Sequence, residues 1–220
     1  LYVDIFDHKG PVLFFLHEWA AMLSRNSFVG IYLVEIVCSL FYLIYSLRTL
    51  RLFSSSPVTL PVVCLLGVVT YTSDFFGYGD SVEELSLPFL AQSLYFMLRF
   101  VKDRHAPHWW QSLIMGVGIG LIFWMKYNLL FFYIGGVLAL WYIAKKNGQM
   151  QDLLRAIGWI LVGFALVTAW VLLYFGMHGT LDALWESYFM VNIFHYHGTA
   201  TNGAPDYWWF PLFKLGIWAI

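Results

Sequence analysis

The sequence predicts an all-α protein, a polytopic bundle of transmembrane helices, and three observations predict it. Of 220 residues, 60% are hydrophobic and 11% charged, against about a quarter charged in an ordinary soluble domain. Apolar runs long enough to cross a bilayer recur along the chain. Lys and Arg collect at every second end of those runs. A chain so composed has too little polar surface to face water on all sides. Its formal net charge of -1 offers nucleic acid no bulk attraction.

The elements follow in order. Residues 1–26 read as an extracytoplasmic loop closing in an apolar stretch, residues 11–23. That stretch is too short to span and carries His17 and Glu18, which suits an interfacial helix. Gly10 ends the extended segment before it, and Pro11 fits the first helical turn. Six spans then occupy residues 27–177: 27–47, 58–73, 87–101, 109–125, 129–144 and 157–177. Residues 178–206 form a second long outer loop, and a further span begins within 207–220. The expectation is one transmembrane domain of six to seven spans, truncated at both ends, since the chain starts at Leu1 with neither a Met nor a signal-like segment and the final apolar run is short.

Charge sets the orientation. Arg48, Arg51, Arg99, Lys102, Arg104, Lys145, Lys146 and Arg155 fall on one side if every span crosses, and that side is expected to be cytoplasmic. The other side receives Asp4, Asp7, Glu18, Asp74, Asp80, Glu83, Glu84, Asp182, Glu186 and Asp206, against Lys9, Arg25 and Lys126. The cytoplasmic connections, 51–57, 102–108 and 145–155, are short. Long loops of polar and aromatic character carry function more often than short ones. The extracytoplasmic face is therefore where the chemistry is expected.

Several groups of residues on that face suggest chemistry. In Tyr2-Val-Asp-Ile-Phe-Asp-His-Lys-Gly-Pro11, two carboxylates, an imidazole and an ammonium precede a helix start, where backbone N–H groups also favour anions. A phosphate seat and a merely solvated loop both fit. Glu83 and Glu84 open a span, where carboxylates must stay wet, pair, bind metal or cap the helix. Lys126 sits in a tight turn, where a lysine either snorkels or meets an anion. At mid-helix it would cost about 2.5–3.5 kcal/mol on insertion scales.

Glu35 is an acid inside a span, with Lys126 or Lys214 as the expected partner. His195 and His197 would be weak metal candidates on extended backbone. Gly116, Gly118 and Gly120 lack the context of a nucleotide loop and fit close helix packing. Cys38 and Cys64 lie in apolar runs and suggest neither disulfide nor metal. No metal or other cofactor is required by these residues, although a divalent metal is compatible with them.

The order of these blocks resembles a family. The segment from Tyr2 to Pro11 resembles the end of the first extracytoplasmic loop of polyprenyl-phosphate-dependent glycosyltransferases of the GT-C fold, the relatives of protein O-mannosyltransferases and of the lipid A aminoarabinose transferase. Glu83-Glu84-Leu-Ser-Leu-Pro-Phe89, Phe123-Trp-Met-Lys-Tyr-Asn128 and Gly179-Thr-Leu-Asp-Ala-Leu-Trp, leading to Asn192, resemble later blocks of it. The resemblance implies transfer of a hexose or pentose from a polyprenyl-phosphate carrier to a cell-envelope glycan, lipid or protein. It implies that Lys9 meets the donor phosphate, with Lys126 a second candidate argued from charge. Glu83 and Glu84 are supporting acids. The family's catalytic base is an acidic residue expected upstream of Leu1, so Asp4 and Asp7 are assigned supporting parts. Two other classes compete: a transporter or lipid-linked-sugar flippase, and an assembly subunit without chemistry. A transporter should carry broken helices in paired halves and charge through both leaflets; here charge collects on one face.

Overall fold

The computed structural model describes residues 2, 9–73, 76, 79–105 and 107–195. These form an all-α membrane protein, with no strand among the described residues. Helix α1 runs Pro11–Leu23, α2 Val29–Phe53, α3 Thr59–Tyr71, α4 Val82–Asp103 and α5 Trp109–Met125. A 3-10 turn, Tyr127–Leu130, leads into α6, Phe131–Asn147, then α7, Met150–Met177, and α8, Leu181–Leu184. The α2, α6 (with its preceding turn) and α7 helices are long and apolar enough to cross a membrane, while α1, α3 and α5 are shorter apolar helices. The 13 residues of α3 rise only about 20 Å, short of the roughly 30 Å hydrocarbon core.

Local sequence sets these boundaries. Pro11 occupies the first turn of α1 after an extended Gly10, as its fixed φ and missing N–H favour. Ser81 caps α4, its Oγ accepting the Glu84 N–H at 3.0 Å, a Ser-x-x-Glu start. Gly148, at φ +70, stops α6 in the left-handed geometry that glycine tolerates best.

Two expectations are corrected here. The cytoplasmic connection predicted over 145–155 shrinks to Gly148 and Gln149, because α7 begins at Met150. Its first turns bury Leu153 and Ala156 while Asp152 and Arg155 stay on the wet side, 3.9 Å apart; an amphipathic start hides from a search for unbroken apolarity. The outer loop predicted from 178 is helical through His195, α8 continuing into a wider π-type helix, Trp185–His195.

Residues Lys9–Tyr174 form one compact unit, and Tyr2 with the described residues from Phe175 to His195 belongs to another. In the first, α5 and α7 cross where Gly116 has no room for a side chain: a Cβ there would stand 2.0 Å from the Ile160 carbonyl oxygen. This is the close packing expected of the glycine run. The α1 helix packs on α7 through Phe15, whose ring lies 4.7 Å from both Trp170 and Tyr174. The basic ends of the helices meet: Phe100, Ala144 and Leu153 form a buried cluster, and the Lys102 ammonium donates to the Leu52 carbonyl. In the second unit Tyr188 is fully buried and Tyr2 stacks on Phe175 at 5.9 Å. Cys38 and Cys64 are free thiols.

Candidate active site

At the other end of the Lys9–Tyr174 unit, the start of α1, the start of α4 and the end of α5 converge. Gly10 makes the first junction. Its N–H donates to the Met125 carbonyl at 3.0 Å, and any Cβ on it would stand 1.8 Å from the Trp124 carbonyl oxygen. Only a glycine permits that approach. The contact brings the residue before it, Lys9, beside the residue after Met125, Lys126.

Lys126 is the C-cap of α5, in extended conformation, its N–H bonded to the Ile122 carbonyl at 2.7 Å. Trp124 anchors the same turn by donating from Nε1 to Thr168 Oγ1 at 3.1 Å. The Lys126 ammonium pairs with Glu83 in the first turn of α4, both side chains roughly half exposed. Burial pushes the Glu83 carboxyl up, but hydrogen bonds from Lys126 and the backbone, and the charges of Lys126 and Lys9, pull it further down, below the usual carboxylate range. Two ammonium groups thus act on one carboxylate.

The next residue faces elsewhere. Successive helical side chains point about 100° apart, so Glu84 turns inward and is 4% exposed. Its Oε2 is buried without a hydrogen-bond partner. Burial, then the charges of Glu35 and Asp80, push its carboxyl up to about 7. Glu35, in α2, accepts the Asp80 main-chain N–H. Asp80 in turn meets His17 of α1, whose Nε2 lies 2.8 and 2.9 Å from its two carboxylate oxygens. The expectation of Lys126 as the Glu35 partner is therefore corrected, because Lys126 is taken by Glu83; Lys214 lies outside the described residues.

The structure brings together Lys9, Lys126 and Glu83, and sets Glu84 in a neighbouring acidic cluster. Asp4, Asp7 and His197 lie outside the described residues, and the backbone of His195 is helical rather than extended. Among the described residues no group of three or more His, Cys, Asp or Glu is placed to hold a metal ion. His17 and Asp80 do not stand out in the sequence as site residues. They lie 63 positions apart, and the available signal is the His17-Glu18 pair in an otherwise apolar helix.

Comparison with known proteins gives one finding. The family model for dolichyl-phosphate-mannose-protein mannosyltransferase matches residues 8–175. No curated protein and no solved structure matches the chain.

Proposed function

We propose, from the premise that the chain belongs to the dolichyl-phosphate-mannose-protein mannosyltransferase family and is a membrane glycosyltransferase, that its donor is a polyprenyl-phosphate-linked sugar. The acceptor is a hydroxyl of a cell-envelope glycan, lipid or protein at the extracytoplasmic face of the plasma membrane. The observation that carries the reading is the ion pair of Lys126 with Glu83, with the charge of Lys9 acting on the same carboxylate, at the end of the bundle opposite the Lys and Arg cluster.

The reaction forms a bond from the acceptor oxygen to the anomeric carbon and breaks the bond from that carbon to the phosphate oxygen. The hydroxyl proton goes to a carboxylate, in a segment where Asp4 and Asp7 have a supporting part. The polyprenyl phosphate leaves with the bonding electrons, and its growing negative charge is what a cation must stabilise. Lys9 and Lys126 supply two ammonium groups for this, Lys126 held in place by Glu83. Apolar helix surfaces take the prenyl chain, and Pro11 and Gly10 keep Lys9 at the mouth of α1, where backbone N–H groups add to the attraction for an anion.

The test is transfer from a polyprenyl-phosphate sugar by the reconstituted full chain, native and with Lys9→Ala. Loss of transfer with normal membrane insertion supports the reading. Normal transfer by that variant removes Lys9 from the site.

A further inference from the structure

Donor binding leaves Glu35, Asp80 and His17 unexplained, yet the fold spends unusual geometry on them. Glu35 lies six residues into α2, about 9 Å along the helix from its start, and is 9% exposed. A carboxylate at that depth needs a partner. It receives the chain itself: the Asp80 N–H donates to its Oε1. Gly79, at φ +66, comes so close that a Cβ there would stand 3.1 Å from the same oxygen. Asp80 follows at φ +53, a left-handed conformation that persists only where its surroundings hold it. The short α3 is consistent with this, since the chain after it returns to α2 at Glu35 rather than at the α2 start.

The Asp80 carboxylate is held as well. His17 meets it through Nε2, and the His17 Nδ1 lies 2.7 Å from the Leu13 carbonyl oxygen of α1. Three elements thus converge on one residue: α2 on its amide, α1 on its carboxylate, and the α4 start through the chain. Ser81, the next residue, caps α4, and Glu83 follows in the same turn.

We infer that Glu35, through the Asp80 amide, and His17, through the Asp80 carboxylate, are positioning residues that fix the first turn of α4 and thereby hold Glu83 against Lys126. The inference rests on the donor-phosphate reading above. Without the Glu35 acceptor, the strained Gly79–Asp80 backbone relaxes, Glu83 shifts with the helix start, and Lys126 loses its orientation toward the phosphate.

A double-mutant cycle tests whether Glu35 acts through Glu83, since residues acting through one interaction give non-additive effects. The full chain in lipid nanodiscs is assayed as native, E35L, E83Q and the double variant, with KM and kcat for the polyprenyl-phosphate sugar and a melting curve for each. The expected result is a donor KM raised about tenfold in each single variant, with the double within about twofold of either. E35Q, whose amide oxygen accepts the same N–H, stays within about threefold of native. A double variant near 100-fold, an unchanged donor KM in E35L, or E35Q as impaired as E35L overturns the inference. Where E35L does not reconstitute, the cycle is run with H17Q in its place: a double variant within about twofold of either single supports the inference, and one near 100-fold overturns it. Amine labelling of Lys126 separates this inference from the donor reading. Labelling that rises in both E35L and E83Q supports the positioning role even if the native chain transfers no sugar. Labelling in E35L equal to native overturns it even if transfer is normal.

Discussion

At the basic end of the Lys9–Tyr174 unit, Phe100, Ala144 and Leu153 close on one another almost without exposure, and cations occupy the last turns of α2, α4 and α6. At the acidic end the junctions are backbone and charge: Gly10 on Met125, Lys126 on Glu83, Asp80 between Glu35 and His17. The first is a packed core with helix C-termini neutralised by Lys and Arg. The second holds two left-handed residues in succession, a buried unpartnered carboxylate oxygen and half-exposed ion pairs. Packing resists change through volume, whereas the polar end depends on the identity of each group. The difference sets the packed core at one end and the proposed chemistry at the other.

Substitutions at the two ends should therefore fail in different ways. The largest effect is expected from Lys9→Ala: at least a hundredfold loss of transfer from a polyprenyl-phosphate sugar, with membrane insertion and melting temperature unchanged. At the other end, Leu153→Ala should cost about 2–5 kcal/mol, as large-to-small changes in a packed core do, read as a lower unfolding transition. The donor KM of the protein that remains folded should equal native; a raised KM there would erase the contrast between the ends. Glu83→Gln should raise donor KM about tenfold, equivalent to about 1.4 kcal/mol, without loss of stability.

The smallest effect concerns Glu84. Its carboxyl is raised in the fold from 4.5 to about 7, so the folded state binds its proton more tightly than the unfolded chain does. That contribution to stability is fully present below about pH 4.5 and is lost as pH rises through 7. Glu84→Gln should remove it, so that melting temperatures of the native chain fall relative to the variant between pH 5 and 8. Parallel curves would mean that Glu84 stays ionised throughout.

The bundle was legible because apolarity and charge alternation are read one residue at a time. Gly10-Pro11 and the turn at Lys126 were legible for the same reason: each shows its geometry in two or three neighbours. What faces what was not. The α2 sequence is apolar nearly all round, so nothing in it says that Glu35 meets a backbone amide 45 positions later rather than a lysine. The α7 helix begins ahead of its apolar span, because Gln151, Asp152 and Arg155 interrupt the apolar run while Leu153 and Ala156 keep the helix buried on one side. Glu83 and Glu84 look alike in sequence. The roughly 100° between successive helical positions puts the first on Lys126 and the second in an acidic interior, with opposite effects on their carboxyls.

The central claim is that Lys9 and Lys126 together receive the donor phosphate. Binding of polyprenyl phosphate, and of the uncharged polyprenol, to the full chain in nanodiscs tests it most directly, with the native protein beside K9A, K126A and the double variant. A charge-assisted contact is worth about 1.5–3 kcal/mol. Each single variant should therefore bind the phosphate at least tenfold more weakly, and the double more weakly still, while polyprenol binding stays equal in all four. Equal phosphate binding by all four proteins would contradict the account.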